Sequence, residues 1–188
     1  NIHVIDPHAP ALEKLQAQFG VTTATAASDA LRGVDVIVLA VKPQSMREVA
    51  AQLLPFLDGE RAPLILSIAA GIRAQDLSRW LGDYPAIVRC MPNTPALIGM
   101  GITGMVASSG VSEEQKKTAD AILRAVGQTV WLADEAKIDP VTAVSGSGPA
   151  YVFYFIEAMQ QAAAELGLTP EQGTQLAIAT FTGAAQLA

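Results

Sequence analysis

Cysteine, histidine and positive charge are scarce in this chain of 188 residues, and each scarcity removes a class of function. The single cysteine, Cys90, cannot close an internal disulfide and fits a reducing compartment. The two histidines are His3 and His8, and no set of His, Cys or carboxylates has metal-ligand spacing, so no metal site is expected. Twelve Lys and Arg against eighteen Asp and Glu give a net charge of −6 without a basic cluster, which argues against a nucleic-acid groove. No apolar run approaches the roughly 18 to 20 residues of a membrane span, and no leader peptide is read, so a cytoplasmic protein is expected. Neither G-x-S-x-G nor a Ser/His/Asp arrangement is present, which leaves hydrolase chemistry unsupported.

What is present is an apolar, Ala- and Gly-rich chain, 51% hydrophobic, in which strand and helix signals alternate. Ile2 to Ile5 reads as a strand closed by Asp6-Pro7, and Leu12, Leu15 and Phe19 share a helix face before Gly20. Thr22 to Ala27 suggests a short strand edge, and Ser28 to Leu31 a short helix. The near-continuous apolar runs Val34 to Val41 and Leu64 to Ile68 predict strands buried on both faces. Between and after them come helices over Ser45 to Leu54 and Ala74 to Leu81, then strands over Ala86 to Cys90 and Gly99 to Ala107. Ser112 with Gln115 three residues later marks a capping box for a helix to Val126, and Thr129 to Leu132 closes the strand series. This alternation predicts an α/β fold with a parallel sheet. Beyond Asp134 only helices are predicted, over Glu135 to Val144, over Pro149 to Leu166, and from a second capping box, Thr169 with Gln172, to the end. The expected division is therefore 1–133 and 134–188.

In open α/β sheets ligands bind beyond the carboxyl ends of the strands. Four such ends carry small, polar or proline-stiffened turns: Asp6; Ala40-Val41-Lys42-Pro43; Ile68-Ala69-Ala70-Gly71; and Met91-Pro92-Asn93-Thr94-Pro95. Asp6 suits either a helix cap or a carboxylate on the ribose of a dinucleotide. Lys42 is either a solvated lysine or a charge meeting phosphate or donating a proton. Asn93 either holds its own loop or presents its amide to nicotinamide or substrate. In Ser145-Gly146-Ser147-Gly148-Pro149 we read a tight turn that opens a helix, with Ser147 capping and Pro149 at the first helical position. The dinucleotide fingerprint G-x-G-x-x-G is absent. If Ile2 to Ile5 is the second strand of such a fold, that fingerprint precedes Asn1. The chain is then expected to be a fragment, and Ile2 to Ile5 and Leu64 to Ile68 would flank a first strand outside it.

Four segments carry a family resemblance: AVKPQ (Ala40 to Gln44), SIAAGI (Ser67 to Ile72), RCMPNTPALIGMGITG (Arg89 to Gly104) and AVSGSGPAYVFYFIEAM (Ala143 to Met159). In order and spacing they resemble the pyrroline-5-carboxylate reductase family in its bacterial form. The resemblance implies a Rossmann-like parallel sheet lacking its first strand, followed by a truncated all-α dimerisation domain. It implies reduction of Δ1-pyrroline-5-carboxylate to L-proline by NADPH or NADH, the last step of proline biosynthesis, in a homodimer or higher homo-oligomer. By that resemblance Asp6, Ala40, Val41, Lys42, Pro43, Ile68, Ala69, Ala70 and Asn93 face the cofactor. Met91, Pro92, Thr94 and Ser145, Gly146, Ser147, Gly148, Pro149, Ala150 face the substrate. Lys42 is the candidate charge near the reaction, and no obligatory acid is evident. The family's Gly-rich loop and its downstream Ser/Thr-Gly-Gly-Thr loop are not in this sequence. The alternatives are another reductase of Rossmann-plus-helix type, a β-hydroxyacid dehydrogenase or an NADP:F420 oxidoreductase, or an inert fragment. The absence of lysine between Pro149 and Leu166 argues against the hydroxyacid version.

Overall fold

The computed structural model describes residues 1–58 and 62–188. The strands are β1 (His3–Ile5), β2 (Thr22–Ala24), β3 (Val36–Leu39), β4 (Leu64–Ser67), β5 (Ile87–Met91), β6 (Gly101–Ala107) and β7 (Gly127–Trp131). The helices are α1 (Ala9–Phe19), α2 (Met46–Leu53), α3 (Ala74–Trp80), α4 (Glu113–Arg124), α5 (Ile138–Val141), α6 (Gly148–Glu165) and α7 (Pro170–Leu187). Among the described residues no strand follows β7.

The strands fall into two sheets, β1-β2 and β3-β4-β5-β6-β7. In the larger sheet β3, β4 and β5 run parallel, β6 is antiparallel to β5, and β7 is parallel to β6. The segment 92–100 joining β5 to β6 is shorter than the roughly dozen residues a parallel crossover needs, so the chain turns back on itself. Every residue of β4 is buried, because the strand lies between two neighbours and under helices on both faces. Ile65 joins Ile37, Leu39, Met46, Leu53, Leu77 and Ile87 beneath α2 and α3. Leu64 and Leu66 join Val88, Cys90, Met105, Ala119 and Leu123 beneath α4.

That placement corrects one expectation. Leu64–Ser67 is an interior strand paired on both sides, whereas β3 has one strand partner among the described residues, and its Val38 is 49% exposed. The break in the strand series falls beside β1 and β3; Ile5 of β1 packs against the core cluster that holds Ile37 and Leu39. A strand paired on both sides and covered on both faces is buried along its whole length.

Both capping boxes form: Ser112 Oγ accepts from Gln115 N at 3.2 Å, and Thr169 Oγ1 from Gln172 N at 3.3 Å. The α6–α7 hairpin closes where Gly173 meets Ala163, with Phe155 near Phe181 and Gln160 bonded to Thr174. The helical part sits on the sheet at Gly104, where an added Cβ would fall 2.7 Å from Val141.

The stretch before α6 differs from the predicted turn. Residues 135–137 form a 3₁₀ turn, α5 follows, and Thr142–Gly146 continues as a π-turn that leads through Ser147 into α6. Ser147 is helical (φ −85°, ψ −20°) and makes no side-chain cap, because helix already precedes it. Its own N–H donates to Thr142 O at 2.8 Å. A Gly/Ser run favours a turn locally, but an incoming helix supplies carbonyls that a turn would leave without donors.

Candidate functional site

Parallel β3, β4 and β5 deliver three of the predicted turns to one edge of the sheet. After β3 come exposed Ala40, half-buried Val41, and exposed Lys42 and Pro43; Lys42 is extended and leads into a 3₁₀ turn over Pro43–Ser45. After β4, Ile68 N donates to Leu39 O at 3.2 Å, Ala69 is buried, Ala70 is exposed, and Gly71 has φ +76°. Exposed side chains no larger than methyl at Ala40, Ala70 and Gly71 leave backbone open along this edge, which fits an extended ligand lying across the strand ends. Asp6 ends β1 in the smaller sheet and is half-buried; its Oδ1 accepts from His8 N at 2.7 Å, next to the start of α1. The carboxylate thus braces the turn before α1 and does not cap the helix, whose start at His8 has no side-chain cap bond.

After β5 the chain turns sharply. Met91, Pro92 and Asn93 are half-buried, Thr94 is exposed, and Thr94–Ile98 forms a 3₁₀ turn. Met91 reaches across to the π-turn, where an added Cβ on Gly146 would lie 3.0 Å from Met91 Cε. Asn93 makes the second link. Its Nδ2 donates to Ser145 O at 3.1 Å, and its Oδ1 accepts from Ile102 N at 2.9 Å. The amide oxygen and one of its two N–H groups are thus engaged within the protein.

The need for that bond is written in the backbone. Pro149 has no N–H, so the carbonyl four residues earlier, Ser145, loses its ordinary helical donor. Asn93 supplies one from another segment. Neighbouring carbonyls around the π-turn also receive side-chain donors: Ser145 Oγ donates to Val141 O at 3.0 Å, and Tyr151 Oη to Ala143 O at 3.2 Å. The structure thus brings Met91 to Asn93 against Ser145 and Gly146, with Ser147, Gly148 and Pro149 half-buried and Ala150 exposed just beyond.

Two charged residues of this region escaped the sequence reading. Arg89 in β5 is 5% exposed, and its guanidinium meets Glu135 Oε1 at 2.9 Å. The same oxygen accepts from Ala74 N, at the start of α3, at 2.7 Å. An arginine inside the apolar run AIVRC was the available signal, since a buried charge requires a partner. That partner, 46 residues away, left no local trace. Burial pushes the Cys90 thiol up to about 12, so it stays protonated and is no nucleophile. A cavity of about 740 Å³ lies apart from these strand ends, between α4 and β7; there Lys116 pairs with Glu113 and Arg124 with Asp120. Among the described residues no group of three or more His, Cys, Asp or Glu is placed to hold a metal.

A family described as pyrroline-5-carboxylate reductase dimerisation matches residues 135–188, and one described as NADP oxidoreductase coenzyme F420-dependent matches residues 1–71. The chain is 46% identical to a pyrroline-5-carboxylate reductase of Pseudomonas aeruginosa, over all of this chain and 68% of that protein. It is 40% identical to a protein of the same name from Pasteurella multocida, over 99% of this chain and 68% of that protein. A solved pyrroline-5-carboxylate reductase from Coxiella burnetii superposes with a TM-score of 0.94 at 40% identity, covering 100% of this chain and 69% of that one. A Plasmodium falciparum pyrroline carboxylate reductase with NADP bound superposes with a TM-score of 0.86 at 29% identity, covering 100% and 67%.

Proposed function

This chain belongs to the pyrroline-5-carboxylate reductase family, and we propose from that premise that it reduces the cyclic imine of Δ1-pyrroline-5-carboxylate to L-proline with NADPH or NADH, the final step of proline biosynthesis. The observation that carries this reading is the junction of Met91–Thr94 with Ser145–Ala150, closed by the Asn93–Ser145 hydrogen bond. It sets one strand end of the cofactor edge against the segment that the family resemblance assigns to substrate. The relatives above favour this reading over a hydroxyacid or F420-linked reductase; the F420-dependent family matches only residues 1–71.

The small-residue edge supports cofactor contacts at Ala40, Val41, Lys42, Pro43, Ile68, Ala69 and Ala70, with Asp6 beside the adenosine ribose. The nicotinamide, when bound, supplies the hydride. The protein's task is to hold the imine carbon in line and to exclude competing water, because a protonated imine is already electrophilic. Met91, Pro92, Thr94 and the Ser145–Ala150 segment shape that position. Lys42 is the candidate charge near the reaction, and water provides any further proton. We read 1–133 as the dinucleotide-binding part and 134–188 as the dimerisation part.

The family's dimerisation description for residues 135–188 supports a homo-oligomer. We place the partner on α6, whose Phe153 and Tyr154 are 64% and 71% exposed. No helix among the described residues is long and apolar enough to cross a membrane, and we propose a cytoplasmic location. The direct test is NADPH and NADH oxidation by the full-length protein with Δ1-pyrroline-5-carboxylate, with proline measured as product. Turnover of a 2-hydroxy acid, and none of the imine, would overturn the assignment.

A further inference from the structure

We propose that Asn93 is a positioning residue for the imine substrate, acting through the Ser145–Ala150 segment rather than by touching the cofactor; the inference rests on the reductase reading above. Pro149 has a fixed φ and removes the donor that Ser145 O would otherwise use. A half-buried carbonyl without a donor would draw in water or rotate, and either would change the path of Ser145–Ala150. Asn93 prevents this by donating to Ser145 O at 3.1 Å.

Its own orientation is determined from two directions. Pro92 and Pro95 restrict the backbone around it, and Ile102 N at the start of β6 donates to its Oδ1 at 2.9 Å. An asparagine serves here because it offers one acceptor and one donor at the same terminus. Aspartate lacks the donor, and leucine lacks both. Met91 Cε packs at Gly146, so a polar bond and an apolar contact join the same two segments. Asn93 thereby couples the end of a sheet strand to the segment assigned to the imine, and the distance between hydride donor and acceptor depends on that coupling.

The test uses Asn93→Asp in the full-length protein, which keeps the acceptor for Ile102 N and loses the donor to Ser145 O. We expect the KM for pyrroline-5-carboxylate to rise about tenfold, the size of one hydrogen bond to a partly buried group. The Kd for NADPH, read by fluorescence, should stay within about twofold, since the cofactor contacts proposed above lie at the ends of β1, β3 and β4. Backbone hydrogen exchange should accelerate within 142–152 and remain unchanged in β3 and β4. Should the new carboxylate prevent folding, Asn93→Ser, whose shorter hydroxyl cannot span to Ser145, reads the same three quantities. A cofactor Kd that weakens in step with KM would overturn the proposal, as would unchanged exchange over 142–152. If the unsubstituted protein does not reduce the imine, the reductase reading has failed. The exchange measurement then decides the coupling alone: local acceleration upholds it and no change sinks it.

Discussion

Glu135→Ala should destabilise this protein by about 3 kcal/mol, well beyond what an ordinary surface ion pair contributes. Arg89 sits in a buried strand with 5% of its surface exposed and cannot exchange Glu135 for bulk water. Breaking a buried pair costs about 3–5 kcal/mol, because the surviving charge is left uncompensated. Glu135 is less secluded, with 30% of its side chain exposed, so water can partly replace it and the cost of the lost pair falls to about 2 kcal/mol. The same carboxylate oxygen accepts from Ala74 N, and losing that acceptor at a helix start adds about 1 kcal/mol. Glu135→Gln, which can still accept both bonds without charge, should cost about 1 kcal/mol. Arg89→Met with Glu135→Leu removes the charges together and should cost less than Glu135→Ala alone. Urea unfolding of the unsubstituted protein and the three variants measures these differences, and thermal unfolding should show Tm falling by roughly 6–12 °C for Glu135→Ala. A loss below about 0.5 kcal/mol, within the range of surface substitutions, would refute the view that this pair pins the helical part to the sheet.

Other outcomes follow from the same geometry. Phe153→Glu should lower the mass seen by light scattering, since α6 carries exposed aromatics that a partner copy would cover; an unchanged oligomer would place the interface elsewhere. Asp6→Ser should raise the NADPH/NADH ratio of kcat/KM by removing a carboxylate that repels a 2′-phosphate; an unchanged ratio would confine Asp6 to its bond with His8 N. Thr129→Val should raise the Asp120 pKa, because the Thr129 hydroxyl is the first cause holding it down, ahead of Arg124. A depressed carboxylate stabilises the fold above its unfolded value of about 3.9 and loses that contribution as pH falls through the lower folded value. The acid limb of unfolding in Thr129→Val should therefore be shallower below that value, and an NMR titration of Asp120 that does not move would reject the cause.

The alternation of strands and helices was legible because each element carries its own period and its own stops. The capping boxes at Ser112 and Thr169 were legible for the same reason: donor and acceptor lie three residues apart, so nothing distant decides the outcome. Strand neighbours were harder. Leu64 to Ile68 and Val34 to Val41 are both apolar runs, and only pairing shows that the first is interior while the second has one strand partner among the described residues. The Ser145–Gly148 stretch was misjudged since glycine and serine mark turns in isolation, whereas α5 delivers the chain already helical. At Arg89 the demand for a partner was visible and the partner was not.

By itself, then, the sequence determined the order of strands and helices and both capping boxes, and it determined that Pro149 offers no N–H donor to the carbonyls before it. Tertiary structure alone decided that Asn93, 52 residues earlier, supplies that donor, that Glu135 neutralises Arg89, and that Gly104 receives Val141. The physical reason is range. Backbone dihedrals and i to i+4 contacts respond to neighbours along the chain, while an unmet hydrogen-bonding group or a buried charge states only what it lacks, and the packing of the whole sheet determines which distant side chain provides it.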